Sequence, residues 1–156
     1  VGFEANGGFL LGSDATLGGR PLAALATRDS VLPMLLVLAG ARRRGCTLSQ
    51  LASGLPERHS FSGRLQEIDP AACKALLAAA DASDEGMRKI FGEMPVAVNR
   101  IDGLRATLAS GNILHVRPSG NAPELRCYAE AASPERAEQL CRDCLSRLQP
   151  QVCGPG

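Results

Sequence analysis

Aromatic side chains are nearly missing from this 156-residue chain: there is no Trp, one Tyr and four Phe, 3% in all. Without stacking platforms a protein grips single strands and flat ring systems poorly. Charge of one sign is lacking too, since 17 Lys and Arg against 16 Asp and Glu leave a net +1. Such a balance makes no long-range field to gather a polyanion, and with the shortage of aromatics it excludes nucleic acid as a partner. Long hydrophobic runs are also missing. Arg, Gly or Asp interrupts each candidate before the roughly 20 residues a membrane span requires. The start, Val1-Gly2-Phe3-Glu4, has neither the basic residues nor the apolar stretch of a signal peptide. The expectation is a cytoplasmic chain with no membrane partner, whose ligand is small or met locally.

What is present is enough apolar material, 45% of residues, for one respectable core or two small ones. Six cysteines raise the question of a disulfide framework, but the chain is neither short nor loop-rich, and several of them fall on apolar helical faces. Cys141 and Cys144 have the spacing of a metal knuckle or redox pair. No second Cys/His pair lies at a plausible distance, and His59 and His115 stand isolated. Reduced, buried thiols are therefore expected, and no metal site.

Val1-Gly2-Phe3 leads straight into a Gly-rich turn, which predicts the end of a truncated domain. Residues 9–26, punctuated by Gly12, Gly18, Gly19 and Pro21, read as turns and brief strands. A helix follows, with Asp29 or Ser30 as its cap, Pro33 in its first turn and Gly45 as its stop. Val31, Met34, Leu35, Leu38 and Ala39 repeat with helical spacing, and Leu32, Leu36 and Val37 widen the apolar face, so this helix is expected to be mostly covered. Arg42-Arg43-Arg44 suits the negative end of a helix better than a phosphate patch. A short capped turn at 47–54 and an extended Leu55-Pro56 connector mark a domain boundary.

Beyond it the pattern is a strand at 59–67, a helix begun by Asp69-Pro70 and ending near Asp81, and a helical turn within 84–94. Strands at 95–101, 104–109 and 112–117 follow, the last two joined by a hairpin turn at Ser110-Gly111-Asn112. A strand from Glu124 comes next. The final helix opens at Ser133-Pro134-Glu135, and its apolar face is Ala137, Leu140, Cys141, Cys144, Leu145 and Leu148. The reading is an α+β layer with a mainly antiparallel four-stranded sheet and helices on one face. A flexible tail is expected over residues 149–156.

Two loops can carry chemistry. In Arg117-Pro118-Ser119-Gly120-Asn121-Ala122-Pro123, Arg117 supplies a planar fork matched to phosphate oxygens, and Ser119 and Asn121 add polar donors. Gly120 is able to take φ > 0 and turn successive amides inward as an anion nest. Arg126, in the next strand, joins the cluster if it emerges on the same face. In Gly2-Phe3-Glu4-Ala5-Asn6-Gly7-Gly8, Glu4 accepts from vicinal hydroxyls, Asn6 both donates and accepts, and the glycines admit a ligand close to the backbone. Each loop taken alone is more often a plain turn.

Together, and in this order, the two loops resemble those of the α-D-phosphohexomutase superfamily, which includes phosphomannomutases and phosphoglucomutases. Glu4 and Asn6 stand in the pattern Gly-Glu-x-Ser-Gly-His, with Gly8 in place of His. Arg117, Ser119 and Gly120 match Arg-Pro-Ser-Gly-Thr-Glu-Pro, with Asn121 and Ala122 at the Thr and Glu positions. The likeness extends over about residues 1 to 148. It implies the end of the family's third α/β domain over 1–55 and its fourth, TATA-binding-protein-like domain over 56–148. It implies hexose phosphate as the substrate, with Glu4 and Asn6 on sugar hydroxyls and Arg117, Ser119, Gly120, Asn121 and Arg126 on the phosphate. It further implies a phosphoserine and a Mg²⁺ site in domains missing from this chain, which are its partners in the same protein. Neither the Thr/Ser-Ala-Ser-His segment nor the Asp-Gly-Asp-x-Asp segment occurs here, so no catalytic residue is expected in the chain, and no activity from it alone. A phosphoglucomutase, a phosphoglucosamine mutase or a non-catalytic phosphate-binding module are the alternatives.

Overall fold

The computed structural model describes residues 1–3 and 8–152. Glu4 and Asn6, the sugar-loop candidates, lie outside the described residues. The chain divides into two compact units, Val1–Pro56 and Glu57–Gly156.

In the first unit, β1 (Gly2–Phe3), β2 (Phe9–Leu11) and β5 (Leu25–Asp29) form a small antiparallel sheet in the order β1-β2-β5, while β3 (Ala15–Leu17) and β4 (Arg20–Leu22) pair as a separate ribbon. Helix α1 (Val31–Arg44) is capped by the carboxylate of Asp29 rather than by Ser30: one oxygen accepts the N–H groups of Val31 at 2.8 Å and Leu32 at 3.2 Å. Helix α2 (Leu48–Ser53) begins with a full capping box between Thr47 and Gln50. The expectation that α1 is mostly covered does not hold within this unit. Ala41 is its buried residue, whereas Val31, Met34, Leu35, Leu36, Val37 and Leu38 are exposed. Three short strands and a six-residue helix offer too little surface to cover fourteen residues of apolar helix.

The second unit has a single five-stranded antiparallel sheet, β6-β10-β9-β8-β7, built from β6 (His59–Gln66), β7 (Ala97–Asn99), β8 (Leu104–Thr107), β9 (Ile113–Pro118) and β10 (Glu124–Ala131). The α+β class is as expected. The sheet has five strands rather than four, because the segment expected at 95–101 pairs as a short edge strand, β7, over three of its residues. Helices α3 (Pro70–Asp81), α4 (Asp84–Phe91) and α5 (Pro134–Val152) complete the unit. Asp69 caps α3 by accepting from Ala71 N–H at 3.0 Å, ahead of Pro70 in the first turn.

Alternation along the strands sorts their residues cleanly. Phe61, Leu65, Leu104, Ala106, Leu114, Val116, Leu125, Cys127 and Ala129 face the helices and join Cys73, Leu77, Ile90, Phe91 and the α5 stripe in one core. Ala137, Leu140, Cys141, Cys144 and Leu148 are buried on α5, and Leu145 is partly so. The Cys pair is thus part of the core. The Cys127 thiol is pushed far above the ordinary thiol range, first by hydrogen bonding with Cys141, then with Cys144, and by burial. A thiol held protonated in this way is packing material rather than a nucleophile. Gly63 is what lets α5 come this close to β6: a Cβ there would lie 2.6 Å from Leu145 Cδ1 and 3.3 Å from Cys141 Sγ.

Helix α5 does not stop at 148, where the flexible tail was expected to begin, but continues to Val152. Pro150 costs one intrahelical bond. Even so, Val152 packs against the core and the Gln151 side chain donates to the Arg147 carbonyl at 2.7 Å, which together hold the last turn.

Leu148 has no exposed surface. Leu148→Ala leaves a cavity beneath the sheet and is expected to lower unfolding free energy by about 2–5 kcal/mol. Chemical denaturation followed by circular dichroism checks this. A midpoint equal to that of wild type would show that the end of α5 does not contribute to the cooperative core.

Candidate functional site

On the sheet surface away from the helices, Arg64, Arg126 and Arg117 lie in one cross-strand row, because Arg126 pairs in register with Arg64 on β6 and with Arg117 on β9. A row of three guanidiniums repels itself unless an acid intervenes, and Glu124 does so. Its buried carboxylate meets Arg64 at 3.1 Å through one oxygen and Arg126 at 3.1 Å through the other. Arg126 is therefore held by Glu124, in a depression shared with Ser62, Arg64 and Tyr128, and does not reach the cavity of the 117–123 loop. Arg126, expected in the loop cluster, is thus engaged at the loop's base rather than lining its cavity. Correct face and register place its Cα, but the neighbouring carboxylate takes its fork.

Arg117 ends differently. Its side chain passes beside the Tyr128 ring, 5.8 Å from the centroid. Its Nε lies 3.3 Å from Asp102 Oδ2, and one terminal nitrogen donates to the Pro118 carbonyl at 3.4 Å. The Arg117 side chain retains 26% exposure, and the Asp102 side chain 62%. The ion pair thus stands at the rim in water, where it is weak and replaceable. Asp102 is brought there by a tight turn at Gly103, whose φ is +75°, and His115 Nε2 contacts the carbonyl of Asp102. His115 is half-buried in its strand, tied to that turn rather than aimed at a ligand.

The loop is anchored at both ends. Ser119 N–H donates to the Glu124 carbonyl and Glu124 N–H to the Ala122 carbonyl, each at 2.8 Å, and Ile68 N–H donates to the Pro123 carbonyl at 3.0 Å. Asn121 N–H reaches Ser119 Oγ at 3.4 Å. Gly120 is not in the left-handed region, so the expected nest of successive inward amides is not formed; the nearby left-handed glycine is Gly103. Two of the amides sequence reading assigned to an anion are already taken. The Gly120 N–H has no partner among the described residues.

Arg117, Ser119, Gly120 and Asn121 nonetheless line one open cavity of about 630 Å³. Across from them it is closed by Pro70 and Lys74 of α3, with Asp102 beside Arg117. Sequence reading missed Lys74 and gave Asp102 no role. Neither is near the loop in the chain, and no spacing rule links them to it. Among the described residues no group of three or more His, Cys, Asp or Glu is placed to hold a metal ion, and no helix is long and apolar enough to cross a membrane.

An antiparallel sheet backed by helices, with an Arg-bearing strand-to-strand loop opening on a cavity at one sheet end, defines an α+β domain. The particular relationship is closer: residues 64–146 match the phosphoglucomutase/phosphomannomutase C-terminal domain, and the chain belongs to that family. A phosphomannomutase of Salmonella muenchen is 42% identical over 155 residues, which are 97% of this chain and 32% of that protein. The chain therefore spans about a third of the length of this curated relative. Among solved structures, a phosphoglucomutase/phosphomannomutase family protein from Burkholderia thailandensis superposes with a TM-score of 0.58 at 22% identity, over 83% of this chain and 25% of that one. An Aspergillus fumigatus N-acetylphosphoglucosamine mutase, solved with GlcNAc-6P and magnesium, gives 0.53 at 20% identity, over 81% and 22%. At these identities both bear on the fold alone.

Proposed function

We propose that this chain is the substrate-holding C-terminal part of a phosphomannomutase-like enzyme, which interconverts hexose 6-phosphate and hexose 1-phosphate through a phosphoserine on residues outside the chain. The observation that carries the reading is the cavity in which Arg117, Ser119, Gly120 and Asn121 converge. Arg117 offers a directional cation, the Ser119 hydroxyl and Asn121 amide offer hydrogen bonds, and Gly120 offers an unpartnered N–H, a donor set suited to a phosphate ester. In this role the loop grips the phosphate that is not transferred, and the binding energy orients the reacting end. Arg126 is assigned to the phosphate by the resemblance of its segment, and here its guanidinium is held by Glu124.

Glu4 and Asn6 are assigned to sugar hydroxyls by the resemblance of their segment. The Mg²⁺ of the whole enzyme and its serine nucleophile belong to domains beyond this chain, and the chain alone is proposed inactive. Residues 1–55 are assigned to the end of the preceding α/β domain, a reading supported by the exposed apolar face of α1, and residues 56–148 to the C-terminal domain. The cytoplasm is the proposed location, supported by the free cysteines at 46, 73, 127, 141 and 144.

The test is an amide NMR titration of the chain with hexose 6-phosphates and with inorganic phosphate. Resonances of Ser119, Gly120 and Asn121 are expected to move together, with a weak affinity because the sugar-holding elements are incomplete. Unmoved resonances at millimolar ligand would rule out the loop as the phosphate site.

A further inference from the structure

Lys74 is one of two lysines in the chain, the other being Lys89, and it is the one that lines the loop cavity. It stands four residues after Pro70 on α3, so both project from the same helix face across from the loop. It is exposed, and its ammonium has no ion pair or hydrogen bond among the described residues. Most other charged side chains around the sheet end are committed: Arg64 and Arg126 to Glu124, Arg117 to Asp102.

Counting charge in the cavity decides what Lys74 contributes. The lining holds two cations, Arg117 and Lys74, against one carboxylate, Asp102, a net of +1. Without Lys74 the sum is zero, because Asp102 offsets Arg117. A phosphate monoester carries close to two negative charges at neutral pH. A cavity of net zero charge would set a single cation, shared with Asp102, against that dianion, at an open site where water competes for each hydrogen bond.

We propose that Lys74 is a phosphate-binding residue, contacting from the helix side the same phosphate that Arg117 meets from the loop side. This rests on the loop being the phosphate site. The two cations divide the work: the rigid guanidinium fork sets the ester's orientation, and the flexible ammonium adds a point charge with little directional demand.

The experiment compares wild type, Lys74→Gln, Lys74→Arg and Lys89→Gln by NMR titration of the whole chain with inorganic phosphate. Lys89 lies on α4, outside the cavity lining, and controls for loss of overall charge. Lys74→Gln is expected to raise Kd roughly three- to tenfold, which corresponds to one exposed charge acting on a dianion. Lys74→Arg should recover most of the affinity, and Lys89→Gln should change it less than about twofold. Equal affinities for Lys74→Gln and Lys89→Gln, with wild type still shifting Ser119–Asn121, would overturn the role of Lys74 and leave the loop reading intact. Failure of wild type to shift those residues would overturn both.

Discussion

Replacing Arg117 by Ala in the full-length protein is expected to lower kcat/KM for a hexose phosphate by about 10²- to 10³-fold, the loss of one charge-assisted, two-pronged contact to phosphate. Its effect on the fold should be small. The side chain is partly exposed, its ion pair with Asp102 stands at the rim, and its contact with Tyr128 is a single ring face. Exposed pairs of this kind contribute about 0–1 kcal/mol, so the melting temperature should shift by no more than a few degrees. The loss should fall on kcat as well as KM. A phosphate held loosely at one end leaves the reacting end misplaced, and misplacement reduces rate as well as occupancy. Steady-state kinetics with mannose and glucose 6-phosphates, alongside thermal denaturation, make the measurement. Wild-type kcat/KM in a folded Arg117→Ala protein would remove Arg117 from substrate binding and with it the central element of the proposed function.

The elements of the second unit were legible because each is locally determined. The i, i+3, i+4 repeat from Ala137 to Leu148 has one solution, a helix with that face inward, and Asp69-Pro70 and Ser133-Pro134 are start signals whose side chains do accept the amides they point to. The edge strand β7 is three residues long and tied to one neighbour, so its pairing depends on β8 rather than on its own pattern. The covering of α1 was misjudged for a related reason: periodicity tells which face is apolar, not whether an element exists to lie against it.

Of the residues that line the cavity, those of the loop itself were legible in the sequence and those that arrive from elsewhere were not. Arg117, Ser119, Gly120 and Asn121 are consecutive or nearly so, and they share the cavity. Lys74 precedes them by more than forty positions and comes beside them only because α3 packs across β9 and β10. Arg126 shows how far strand alternation carries. Strand alternation places it on the face of Arg117, but alternation also puts Glu124 on that face, two residues away, and the buried carboxylate holds the guanidinium. Glycine was misread as well. The left-handed turn that shapes the site belongs to Gly103, not Gly120, and both look alike in sequence.

Gly103 carries the second large expected effect. Its φ of +75° is a conformation that L side chains rarely adopt, and a Cβ built there would lie 2.3 Å from the Val116 carbonyl oxygen and within 3 Å of Arg117 Cα and Cβ. The clash is mostly with backbone, and that backbone is fixed: Val116 pairs with Leu104 on one side and Cys127 on the other, inside the sheet. Gly103→Ala is therefore expected to destabilise the second unit by roughly 2–4 kcal/mol, combining left-handed strain with overpacking. Gly120→Ala is the matched control. It has no atom within 4 Å of its added Cβ and lies outside the left-handed region, so its stability should stay near wild type or rise slightly. Denaturant unfolding of both variants by circular dichroism separates them. Below its midpoint, Gly103→Ala should also lose the phosphate response at Ser119–Asn121, because a turn that moves away from Val116 takes Asp102 and the Arg117 guanidinium with it. Coincident midpoints for Gly103→Ala and wild type would mean that the turn gives way easily, and that Arg117 is not held where the site requires it by the backbone beside it.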